Sequence, residues 1–127
     1  MMSKTATLRK LIVSQLNTAP GGTYYLHAPD SASYPYKTFE LSRISLGDLA
    51  RDDIDFCVDV WDIATDPKQV DEIADQIEAI FNAANLPQET ILPTFFRESR
   101  YPVADEDKTI QHIQMHFTVQ NYENKEE

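Results

Sequence analysis

The chain has 127 residues, 42% of them hydrophobic and 25% charged, with six Phe, six Tyr and one Trp. That suits one soluble globular domain with a single core, 1–127, and excludes two domains of ordinary size or a largely disordered chain. The net charge of −10 excludes a protein that grips a phosphate backbone, which needs Lys and Arg to displace counterions.

The opening "MMSKTATLRKLIVSQLN" lacks the uninterrupted apolar stretch and small-residue cleavage site of a signal peptide, and no apolar run approaches a membrane span. Before Asp30 the chain carries Lys4, Arg9 and Lys10 and no acid. Residues 5–18 are expected to be helical: Leu8, Leu11, Ile12 and Leu16 share one face, and Asn17, Pro20 and Gly21 stop it. "TYYLHA" is a short strand and "PDSASYP" a loop. "YKTFELSRISL" is a longer strand whose apolar parity switches between Leu41 and Ile44, which predicts a bulge or burial on both faces. "GDLARDD" supplies a turn.

In "DDIDFCVDVWDIATD", Ile54, Phe56, Val58 and Val60 alternate as in a half-buried strand. Asp66 and Pro67 then start a helix, with Gln69 placed to reach back as in a capping box. Val70, Ile73, Ala74, Ile77, Ile80, Phe81 and Ala84 form its apolar stripe, and Asn85 and Pro87 end it. "TILPTFFRES" is a strand in which Pro93 demands an edge or a bulge. "RYPVADEDK" is a hairpin tip. In "TIQHIQMHFTVQNY" Ile113, Met115, Phe117 and Val119 alternate with His112, Gln114, His116, Thr118 and Gln120, and residues 123–127 are expected to fray. The expected fold is α+β: an antiparallel or mixed sheet of four to five strands with two helices on one face.

The six aspartates between Asp52 and Asp66 raise the question of chemistry. In a strand, Asp55 and Asp59 lie roughly 13 Å apart, whereas oxygen ligands sit about 2–2.6 Å from a shared ion. Asp52 and Asp53 are assigned to the turn and Asp66 to the cap. The spacing favours a solvated face; a metal-assisted hydrolase using Asp55, Asp59 and a distant His stays open as the alternative. His112 and His116, four apart, would meet on a helix but not on a strand. The single Cys57 forms no internal disulfide and has no basic neighbour in sequence to lower its pKa. No Gly-rich phosphate loop or HExxH occurs, so no catalytic, metal or cofactor-binding residue is assigned.

The face of His112, Gln114 and His116 is polar yet uncharged, and Trp61 stands among acids. Such surfaces are enriched where protein meets protein, although an ordinary wet sheet explains them too. The basic first helix (Lys4, Arg9, Lys10) and the acidic second (Asp71, Asp75 and Glu78 among its acids) are complementary, within one subunit or between neighbours.

"TLRKLIVSQLN", "PD…YPYKTFELSR", "DFCVDVWDIATDPKQVDEIADQIEAIF" and "DEDKTIQHIQMHFTVQ", in that order, resemble the tail completion proteins of tailed bacteriophages, the tail terminator or head–tail joining group. Asp59-Val60-Trp61 through Phe81 is the most specific part. The resemblance implies a phage or prophage virion tail protein made in the host cytoplasm, forming a ring, typically a hexamer, that caps the tail tube and docks the head connector. It implies no catalytic residue and no cofactor, and DNA that passes without being held. Lys4, Arg9, Lys10, Trp61, Asp71, Asp75, Glu78, His112, Gln114 and His116 are the candidate subunit-interface residues. A monomeric module that takes a peptide at its sheet edge is a third reading.

Overall fold

A computed structural model describes residues 3–46 and 51–124. Along the chain run α1 (Lys4–Leu16), β1 (Gly22–Tyr25), β2 (Tyr36–Leu46), β3 (Arg51–Ile63), α2 (Lys68–Ile80), β4 (Ala84–Asn85), β5 (Ile91–Pro102) and β6 (Ile110–Glu123). The strands form one sheet in the order β1-β2-β3-β6-β5-β4. Every neighbouring pair is antiparallel except β1 with β2, which is parallel, so the sheet is mixed. It has six strands instead of four to five; the addition is the two-residue β4. Of the expected turn, residues 47–50 lie outside the described residues, as do 125–127 of the expected frayed tail.

Ser3 caps α1, its Oγ accepting from Ala6 N at 3.0 Å. Leu8, Leu11, Ile12 and Leu16 are its buried face, and Asn17 closes it with its N–H on Val13 O. Gly21 then takes φ +91°, where a Cβ would stand 2.5 Å from Pro35 O, so both backbone angle and space require glycine. The carbonyls of Ala19, Pro20 and Gly21 all accept from Lys37 Nζ, at 3.1, 2.8 and 2.6 Å. Lys37 is fully buried on the helix side of β2.

Asp66 supports α2 from one residue further out than expected, its Oδ1 accepting from Lys68 N at 2.9 Å, and no side chain caps Pro67. The helix ends at Ile80, short of the expected Ala84. Phe81 turns into the core against Phe95, Phe56 and Phe117, with ring centroids 4.7, 5.2 and 5.5 Å away. Ala83 adopts φ +50°, and Ala84 leaves the helical stripe to pair with Phe95.

Both helices cover the face carrying Phe39, Ile54, Phe56, Val58, Val60, Ile113, Met115, Phe117 and Val119. Phe56 is the hub, with rings of Phe39, Phe81, Phe95 and Phe117 within 6.1 Å. The parity switch in β2 is a bulge: its register against β3 shifts between Leu41 and Arg43. A second bulge interrupts β5 between Arg97 and Ser99. Pro93 is buried in the strand next to the edge, paired with Asn121 on one side. On the other, β4 reaches only Thr94 and Phe95, so the missing N–H of Pro93 falls where no strand needs it.

Candidate functional site on the open face of the sheet

The inward row of β3 forces Arg51, Asp53, Asp55, Cys57, Asp59, Trp61 and Ile63 onto the face that the helices leave uncovered. Register aligns Trp61 with Tyr36 and His112, Asp59 with Gln114, and Cys57 with His116; Tyr101 of β5 lies across from Gln114. These neighbours interlock. Asp59 Oδ1 accepts from His112 Nε2 at 2.6 Å and from Gln114 Nε2 at 3.0 Å. Gln114 Oε1 accepts from the Tyr101 hydroxyl, and His116 Nε2 lies 3.0 Å from both. A carboxylate only accepts, so His112 carries its proton on Nε2. The His112 ring stacks on Trp61 with centroids 3.6 Å apart and planes 15° from parallel. Trp61 Nε1 donates to Thr38 Oγ1 at 3.4 Å. Tyr36 continues the row beyond Trp61, and Tyr24 and Tyr34 pack against Tyr36.

Asp59 is therefore no solvated acid of the kind its spacing suggested. Its side chain is 16% exposed and that of His112 9%. Asp55 is exposed, two residue pairs down the strand, opposite Arg43 and Thr118. The histidines do not meet each other; Gln114 stands between them. Among the described residues no three His, Cys, Asp or Glu side chains converge as a metal site would require. Of the proposed hydrolase set, only Asp59 and His112 come together. Burial pushes the Cys57 thiol up to about 12, with Asp59 and Glu40 adding to the effect, so it is protonated and a poor nucleophile. What remains is a hydrogen-bonded aromatic and amide surface with no free nucleophile at its centre.

The other aspartates are corrected by the strand's length. Asp52 and Asp53 belong to β3, not to a turn. Asp52 faces the helices and is buried, 3.0 Å from Lys4 Nζ. Asp53 pairs with Arg51 at 2.9 Å.

Among the described residues no ion pair joins the two charged helices. Lys4 pairs with Asp52 and with Glu123, the latter at 3.7 Å. The Arg9 guanidinium lies 5.3 Å over the Tyr25 ring, and Lys10 is exposed beside a cleft with Gln88 and Glu89. Asp71, Asp75 and Glu78 surround Arg100 at 3.4, 2.6 and 2.6 Å, and Glu78 also meets Arg97 at 3.0 Å. Arg97, Arg100 and Tyr101 went unnoticed in sequence. The available signal is two arginines in a strand opposite a helix of four acids.

Among the described residues no helix is long and apolar enough to cross a membrane. No protein-family model matches the chain, and no curated protein matches it. Solved structures do. A chain in the structure described as the virion of a native gene transfer agent particle superposes with a TM-score of 0.67 at 14% identity, covering 96% of this chain and 92% of its own. At that identity the match establishes a shared fold: this α+β unit is one that a virion component also adopts.

Proposed function

We propose that this chain is a structural virion protein of a phage or prophage, which assembles into a ring that caps the tail tube and joins it to the head connector. The observation that carries the reading is the end-to-end fold match to a chain of a gene transfer agent virion. Two features support it. The open face binds its own polar groups to one another, which suits a surface for contact more than for turnover. The charge of −10 per chain, multiplied around a ring, would repel DNA from the wall of a conduit. In this reading Trp61, His112, Gln114 and His116 contribute to contacts with neighbouring proteins, and Asp55 and Asp59 carry out no hydrolysis.

The test uses particles released from the strain that encodes the chain. Purified particles should contain it, antibody should label one end of the tail where it meets the head, and deletion of its gene should leave separate heads and tails. Particles that lack the chain, or that form intact without its gene, would refute the proposal.

A further inference from the structure

The two outer margins of the sheet are each only half covered. On one margin β1 pairs with residues 36–39 of β2 and leaves 40–46 open. On the other, β4 pairs with Thr94 and Phe95 of β5 and leaves 96–102 open. The open stretches are equal in length and lie at opposite ends of the sheet, because each is the C-terminal part of its strand and β2 starts where β5 finishes. Exposed strand edges are usually blunted with charge or covered, since they recruit further strands. Here both open stretches carry a bulge and charges (Glu40 and Arg43; Arg97, Glu98 and Arg100), yet apolar side chains sit beside them as well. Among the described residues nine large hydrophobic side chains are exposed, and six of them, Tyr25, Leu26, Ile44, Leu46, Phe96 and Tyr101, belong to the margins. Leu46 is 84% exposed.

We propose that residues 40–46 of one copy pair with residues 96–102 of the next, joining successive sheets into one. This rests on the ring reading and names the contact that would build the ring. Strand direction supports it: β2 and β5 run opposite ways, so a neighbour related by rotation about an axis near the strands presents an antiparallel edge and keeps its helices on the same side. Coverage supports it as well. When the open halves meet, β1 of one copy passes beyond the end of β5 in the other, and β4 passes beyond the end of β2, like the two parts of a step joint. Charge disfavours one alternative. Two β5 margins brought together would place the acidic faces of both α2 helices, with Asp71, Glu72 and Asp75, side by side, whereas the β2 margin carries no helix of like charge. The contact uses two different patches, so it propagates head to tail and closes only if the rotation per copy divides the circle.

The test combines cross-linking with mass. Phe96→p-benzoylphenylalanine is irradiated in the concentrated full-length protein, and the products are mapped by mass spectrometry. Cross-links to residues 40–46 of a second copy are expected. Ile44→Lys with Leu46→Lys should reduce the assembly to monomers, while Ile63→Lys, exposed on a central strand, should leave its mass unchanged. Circular dichroism melting checks that each variant is folded. Cross-links that map elsewhere in an intact ring overturn the edge contact and leave the ring reading standing. A wild type that stays monomeric and uncross-linked at millimolar concentration overturns the edge contact, and recovery of the chain from particles then decides the virion reading separately.

Discussion

Asp55 and Asp59 look alike in sequence, and the structure separates them. Both are mid-strand positions of β3 on the open face, so replacing either by Ala changes strand propensity by the same amount. Asp55→Ala removes an exposed carboxylate and should stay within about 0.5 kcal/mol of wild type. Asp59→Ala removes the acceptor shared by His112 and Gln114. Hydrogen bonds to a charged group contribute roughly 1.5–3 kcal/mol each when desolvated. Because both side chains keep some contact with water, the loss should fall to about 2–3 kcal/mol in total. Urea unfolding followed by the fluorescence of Trp61, the single tryptophan, reports on this region directly. A double-mutant cycle of Asp59→Ala with His112→Ala should show a coupling of about 1 kcal/mol or more. Equal stabilities for the two Asp variants, or a coupling indistinguishable from zero, would refute the account of an interlocked face.

Burial pulls the Lys37 ammonium down to about 8 from 10.5. Below pH 8 the amine is protonated folded and unfolded, and the burial cost is fully present. Between about 8 and 10.5 the folded amine has shed a proton that the unfolded chain still holds, so stability should rise with pH. Thermal melts of Lys37→Met across that range should lack this rise. Burial holds the Cys57 thiol at about 12 instead of 9, so little of it is thiolate near pH 8 and iodoacetamide should alkylate the native protein much more slowly than the urea-unfolded chain. Rapid native labelling would contradict its burial. Phe56→Ala, at the hub of four rings, should cost about 3–5 kcal/mol by urea titration; a loss below 1 kcal/mol would mean the core is not organised around it.

Periodicity made most of the fold legible. The two helices, the four long strands and the β2 bulge all follow from where apolar residues repeat and where that repeat slips. What escaped was non-local. The parallel pairing of β1 depends on how residues 26–35 carry the chain back, and no local pattern encodes it. The early end of α2 was hidden because Phe81 and Ala84 fit the helical stripe, although the core claims the first and β5 the second. Asp59 was misjudged because alternation shows which face a side chain takes, while its partners come from strands far along the chain. Asp52 reads as part of a turn because it falls in "GDLARDD", a polar run opened by a glycine; only the length of β3 and the position of Lys4 draw it inside.

Lys37 holds three successive carbonyls from the segment that leads out of α1 and into β1. The antiparallel run β2-β3-β6-β5 needs nothing from α1 or β1 to complete its own ladders. Residues 3–25 therefore behave as a strap laid over a finished frame, and the ammonium is its latch. Loosening that latch would free the strap while the frame stayed shut, so amide protons of α1 and β1 would exchange ahead of those in the four long strands.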